Sequence, residues 1–426
     1  MTNLRKAIFG LLSRAAVRFV LAIVATGCCL SAAVFAVRAG LSNIDSKTAL
    51  ASGSLAAADE AVGLTPSDPN AHFARAIALS YEGESTEAVE EYRWAVALRP
   101  RDYFLWLALG TVLDQSEDKK GALAAYKEAV RLAPYYAQPR WQLGNLLLRA
   151  GQREEAFVEL RLAASSDSSL LPALLDLAWG VANGDANVVE QIINPQTARW
   201  HLALSHFFIK HGKTVEGLVQ FRAAGQVSDE ERRSLLQELL SANRFQEAYE
   251  IWSASRNVKT AEGSGLVDGG FEDPKGFDQP GFGWQRGLDV QGVAVSLDVN
   301  GTHSGKYSLR LNYRGDSNVN AYAISQLVVV EPNSRYRLRF SAKTQDVVTA
   351  GAPLVVVSDA GDKAQQLAQS EALSKNTDGW RDYAVEFATG KETNAVRISV
   401  QRQACTGQPC PIFGSLWLDD FILEKF

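Results

Sequence analysis

Three of the five histidines, His201, His206 and His211, recur five residues apart. That step spreads them around a helix instead of aligning them as metal ligands. They read as ordinary surface or core histidines. No Gly-rich phosphate loop, His-Glu-x-x-His pair or nucleophile elbow is present. Carboxylates are scattered, and sequence places no pair across a glycosidic bond. The chemistry-bearing residues therefore argue against an enzyme. Cys405 and Cys410 bracket the short loop Thr406-Gly407-Gln408-Pro409. Two thiols are too few for a metal site, and no histidine lies near them in sequence. In an oxidising compartment they pair; two free thiols are the alternative. Cys28 and Cys29 lie in an apolar segment and read as inert.

That apolar segment decides the compartment. Phe19 to Val37 carries no charge and is long enough to cross a bilayer as one helix. Arg5, Lys6, Arg14 and Arg18 precede it. The positive-inside rule then keeps residues 1–18 in the cytoplasm and exports everything after about Arg38. The expected location is a bacterial inner membrane, single-pass, with the bulk of the chain periplasmic. A cleaved signal peptide with a cut near Ala36 is the rival reading. Ala25-Thr26-Gly27-Cys28 has some likeness to a lipoprotein box, but the chain stays apolar beyond it. A net charge of −5 over 426 residues leaves no basic footprint for nucleic acid.

The elements that follow are periodic. Pro66, Pro100 and Pro134 lie 34 residues apart, the period of stacked helical hairpins. In block 103–136, Trp106, Leu109, Gly110 and Leu113 share one helical face, and Ala122, Tyr126 and Ala129 share a second. Block 137–170 repeats this with Leu143, Gly144, Leu147, Ala156, Leu160 and Ala163, and block 69–102 with Ala76, Leu79, Gly83, Ala88, Tyr92 and Ala95. These residues resemble the tetratricopeptide repeat. A half repeat with Ala58 and Ala61 precedes them. Two looser copies follow, one at Trp200, Leu204, Gly212, Phe221 and Ala224, the other at Leu235, Leu236, Leu239, Ala248 and Trp252. Between them, 171–196 reads as helical but off pattern, broken at Asn183-Gly184-Asp185. The resemblance covers 45–256 and implies a solenoid with a concave partner groove. Its lining would be Phe73, Ile77, Tyr81, Phe104, Leu107, Trp141, Asn145 and Arg149. The alternative is that several of these pack against adjacent hairpins.

Beyond a linker at 257–265, the hydrophobic period changes from 3.6 to 2. Tyr336, Leu338 and Phe340 alternate with Arg337, Arg339 and Ser341. Leu309, Leu311 and Tyr313, then Tyr383, Val385 and Phe387, then Val396, Ile398 and Val400, alternate likewise. Short strands at such intervals predict a β-sandwich over 266–426. The landmarks are Gly269-Gly270-Phe271-Glu272, Trp284, His303 to Leu309, Trp380 and the closing Trp417-Leu418-Asp419-Asp420-Phe421. This order resembles the galactose-binding-like jelly roll of many carbohydrate-binding modules. The resemblance implies a structural calcium ion at Glu272 with Asp419 or Asp420; the alternative is a solvated acidic pair. It also implies sugar-stacking aromatics, with Trp284, Tyr313, Tyr322 and Trp380 as candidates and Asn318, Asn320 and Gln326 as polar partners. Core packing is the alternative for each aromatic.

The expected architecture is thus multidomain, α then β: a transmembrane helix, an all-α tetratricopeptide solenoid and a jelly-roll sandwich. The expected role is a scaffold that docks envelope proteins and holds a polysaccharide during its assembly or export. A protein-only assembly factor with a structural sandwich is the alternative.

Overall fold

A computed structural model describes residues 2–254, 265–287, 291–315, 321–361, 365–405 and 410–426, with side chains from Val17 onward. The chain divides into two compact units, 1–195 and 196–426. Of the linker expected at 257–265, only Gly265 is described.

In the first unit, α1 (Thr2–Ser52) and α2 (Leu55–Leu64) precede three hairpins. These are α3 (Pro69–Glu82) with α4 (Ser85–Leu98), α5 (Tyr103–Gln115) with α6 (Lys119–Leu132), and α7 (Ala137–Arg149) with α8 (Arg153–Ser166). Pro66, Pro100 and Pro134 each follow a helix that has just ended. Asp68 and Asp102 then cap the next helix, accepting from the N–H of Asn70 and Phe104. The break at Asn183-Gly184-Asp185 separates α9 (Leu171–Val181) from α10 (Ala186–Ile193), with Asn183 and Gly184 at positive φ.

Close helix approach comes from a small residue facing a large one sixteen positions later. A Cβ on Gly110 would lie 2.5 Å from the Tyr126 ring, and one on Gly144 would lie 2.6 Å from Leu160. Ala76 and Tyr92 occupy the same places in the first hairpin, and both are buried. One period earlier stand Ser42 and Ala58, each fully buried, with Ser42 Oγ donating to the Ala61 carbonyl at 2.9 Å. The half repeat expected there is therefore a whole one. The end of α1 supplies its first helix, ahead of residue 45, and Ser46 and Ala49 are also buried there. Periodicity hid this helix because its other part is uniformly apolar. Phe19 to Val37 is exposed along its length, and α1 runs from it into the repeat without a break. This one helix is long and apolar enough to cross a membrane, or to serve as a signal sequence.

The second unit opens with α11 (Ala198–Lys210), α12 (Thr214–Ala223), α13 (Asp229–Ser241) and α14 (Phe245–Ala254). Ten strands follow: β1 (Gln285–Arg286), β2 (Val293–Asp298), β3 (Ser308–Gly315), β4 (Ile324–Val329), β5 (Arg335–Thr349), β6 (Pro353–Asp359), β7 (Gln366–Gln369), β8 (Arg381–Ala388), β9 (Ala395–Arg402) and β10 (Ile412–Lys425). They form two antiparallel sheets, β1-β4-β9-β6-β7 and β2-β3-β10-β5-β8. Leu309, Leu311, Leu338, Phe340, Val385, Ile398 and Leu416 point into the shared core. The intervening residues point outward, as period-two alternation requires.

The outer side of the first sheet is not bare. Leu327, Ala360 and Ala395 share a second apolar core with Phe245, Ile251 and Trp252 of α14. Phe282 is fully buried between Tyr249 and Trp252, with ring centroids 5.1 and 5.7 Å away. Gly281 makes this joint possible. It sits at φ +122°, and a Cβ there would lie 2.3 Å from the Trp252 indole.

Candidate functional site

The aromatics expected to stack on sugar separate into two kinds. Trp284 is buried; its Nε1 donates to the Asp268 carbonyl at 3.0 Å, and its ring packs on Phe271 and Phe421. Tyr313 is buried in β3, and burial pushes its phenol far above the ordinary value. Gln326 is buried too, with its amide bonded to the backbone N–H and carbonyl of Val267. These three expectations are corrected: inward register on β3 and β4, and burial of Trp284 in the sandwich core against Phe271 and Phe421, leave them no free face. Asn318 and Asn320 lie outside the described residues.

Tyr322 and Trp380 are half-exposed but stand apart. Tyr322 lies under the Arg397 guanidinium, 5.8 Å away, on the first sheet. Trp380 precedes β8 of the second sheet and contacts the His303 ring at 5.3 Å.

The three acidic residues expected to hold calcium do converge, on the loop between β2 and β3. Glu272 Oε1 accepts from the N–H groups of Lys306 and Tyr307 at 2.7 and 3.0 Å. Asp419 Oδ2 accepts from His303 and Ser304, and its Oδ1 accepts from the N–H of Asp420. Asp420 holds the His303 ring and the Ser304 hydroxyl, both at 2.6 Å. Burial raises the Asp419 carboxyl above the ordinary aspartate value against these donors. Calcium requires several free oxygens. Among the described residues, no three His, Cys, Asp or Glu side chains are placed to share an ion. As arranged, the three carboxylates are engaged by N–H, imidazole and hydroxyl groups of the loop and clamp it.

The expected partner groove is mixed. Tyr81 and Phe104 are exposed. Phe73 is half-buried against Tyr92 and Phe104, Ile77 packs on the hairpin core, and Trp141 is half-buried. Asn145 donates to the Trp141 carbonyl at 2.9 Å, and Arg149 pairs with Asp114 of α5. Leu107 is a correction: it is 4% exposed, because it faces the neighbouring hairpin core. The structure joins Cys405 and Cys410 by a disulfide.

Sequence reasoning missed a cleft of about 770 Å³ between the α13–α14 turn and the first sheet. Gln237 reaches it from α13, Asn243 from the α13–α14 turn, Gln285 and Arg286 from β1, and Arg397 from β9. Leu240, Phe245 and Leu327 supply apolar wall. Arg286 pairs with Asp278 at 3.1 Å, and Arg397 donates to the Ser325 hydroxyl at 3.3 Å. These residues come from four separate segments, so no local motif announces them.

Comparison with known proteins matches the two architectures. Residues 105–136 match the family described as "Tetratricopeptide repeat", and residues 264–409 match "Carbohydrate binding domain". The chain pairs tetratricopeptide repeats with a carbohydrate-binding domain. The chain is 32% identical over 112 residues to the BBSome complex member bbs-4 of Caenorhabditis elegans, covering 25% of this chain and 24% of that protein. Protein FlbA of Caulobacter vibrioides is 31% identical over 94 residues, covering 22% and 16%. The matched stretch spans about a quarter or less of these curated relatives. Among solved structures, one of pilF from Pseudomonas aeruginosa matches with a TM-score of 0.34 at 19% identity, covering 51% of this chain and 99% of that one. MamA from Desulfovibrio magneticus RS-1 matches at 0.30 and 20%, covering 44% and 93%.

Proposed function

We propose that this protein is a membrane-anchored periplasmic scaffold in the assembly or export of a cell-envelope or secreted polysaccharide. One observation carries this reading: a protein-docking solenoid and a carbohydrate-binding domain share one chain behind an apolar helix. Both matched families are binding modules, which favours a non-catalytic role. The solenoid docks an envelope protein through the face bearing Tyr81 and Phe104, and the second unit holds glycan. Arg5, Lys6, Arg14 and Arg18 support a cytoplasmic N-terminus.

Titrating the full chain in detergent against envelope and secreted polysaccharides tests the glycan half. Saturable binding to at least one supports it; no binding by folded protein removes it. Alkaline carbonate extraction of native membranes tests the anchor. Retention in the pellet is expected, and release of full-length protein would sink that part.

A protein-only assembly factor is the second reading. The burial of Trp284 and Tyr313 favours it, since it leaves no aromatic row for sugar stacking among the described residues. Crosslinked pull-downs recovering secretion components, with no glycan binding, would select it.

A further inference from the structure

The cleft between the α13–α14 turn and the first sheet continues past its own rim. Asp278 and Pro280 line it, and both also line a second cleft of about 520 Å³ on the other side of the same loop. The second cleft carries Arg232, Arg233 and Asp229 of α13. The two clefts therefore hold four guanidinium groups against two carboxylates, in a chain whose overall charge is −5. Asp278 is already engaged by Arg286. Amide groups of Gln237, Asn243 and Gln285 add paired donors and acceptors. In the second cleft polar surface outweighs apolar wall, which disfavours a hydrophobic small molecule across the pair. A neutral sugar would use the amides and leave the excess of guanidinium over carboxylate charge uncompensated. A planar carboxylate on a polyhydroxylated ring uses both, because a guanidinium fork matches it in two parallel bonds.

We propose that these joined clefts bind an acidic polysaccharide through its uronate carboxylates, with Arg286 and Arg397 as the selecting residues. The ligand lies across the joint between helices and sandwich, so the sandwich alone is not the whole site. This inference rests on the glycan half of the proposed function and narrows its ligand class.

The experiment compares polygalacturonate with its methyl-esterified form, and with neutral dextran, on the full-length protein in detergent. The ester removes charge from the same chain. Tighter binding of the acid form by about tenfold or more is expected. Arg286→Gln and Arg397→Gln should each weaken it by about tenfold, and Arg397→Lys should restore part of the loss. Arg337→Gln, on the second sheet, should leave binding unchanged, and melting curves report whether each variant folds. Equal binding of acid and ester, binding of dextran alone, or acid binding insensitive to both substitutions overturns the acidic site while the glycan reading stands. Absence of binding to all three overturns the acidic site and removes its support from the glycan reading.

Discussion

His72 and Arg140, 68 residues apart, hold the same pair of partners: a proline carbonyl six residues upstream and a glutamate nineteen residues downstream. His72 reaches Pro66 and Glu91, and Arg140 reaches Pro134 and Glu159. Midway between them, Trp106 Nε1 donates to the Pro100 carbonyl at 2.9 Å, and residue nineteen positions on is Ala125. His201 and Gln220 repeat the nineteen-residue pairing at 2.8 Å in the second unit. Three different side chains thus close the same turn between repeats. What the turn requires is a donor for the orphan proline carbonyl, and not one residue type.

That equivalence predicts a swap. Arg140→Ala or Glu159→Ala alone should cost about 1–3 kcal/mol, because a half-buried charge loses its partner. Arg140→Trp with Glu159→Ala imports the Trp106–Ala125 pair and should cost less than either single change. Urea unfolding of the four proteins measures this. A double variant as unstable as the sum of the singles would refute the equivalence.

Glycines test the packing. Gly281→Ala places a methyl on the Trp252 indole at positive φ. It should destabilise the second unit by about 2 kcal/mol or more. Gly180→Ala in α9 meets nothing within 4 Å and should stabilise by a few tenths to about 1 kcal/mol. Opposite shifts in thermal midpoint are expected; shifts of the same sign would show that the joint is looser than described.

Two carboxyls in the sandwich give opposite pH dependences. Burial raises Asp419 above 3.8 in the folded state. Its contribution is therefore fully present below the unfolded value and is lost as pH rises through the raised one. Asp298 is lowered from 3.8, first by the hydrogen bond from Trp417 Nε1. Its contribution is present above the unfolded value and is lost as pH falls through the lowered one. Relative to Asp419→Asn, the wild type should gain stability as pH falls towards 3.8. Relative to Asp298→Asn, it should lose stability as pH falls below 3.8. Denaturant midpoints across acidic pH read both slopes, and parallel slopes would contradict the assignment.

Removal of the disulfide should cost about 2 kcal/mol, the loop-closure value for so short a ring. The buried Arg402 guanidinium donates to the Cys410 carbonyl and the Thr349 hydroxyl, each at 3.0 Å, and holds the same strand end independently. The Cys405→Ser, Cys410→Ser double variant should therefore stay folded. Global unfolding of that variant at room temperature would show that Arg402 does not suffice.

Much of the fold was legible because packing writes itself into periodicity. The 34-residue interval located three hairpins, since each must bury the same face against its neighbour. Period-two alternation located β3, β5, β8 and β9, because one side of each strand faces a core. The helix ending in the first repeat escaped notice because its apolar run obeys the membrane, not the repeat.

The candidate site was less legible. Alternation says that Tyr313 and Leu311 share a face, but an aromatic that fills a core and one that stacks on sugar look alike in sequence. Sequence by itself determined the element types, their order and the apolar N-terminal helix, because these depend on local spacing and charge. Tertiary structure alone decided that Trp284 lies in the sandwich core, that Asp419 and Glu272 clamp a loop, and that Arg286 and Arg397 share a cleft. Those relations depend on which strands neighbour one another and on which helix covers which sheet, and residues more than 100 positions apart carry no mark of meeting.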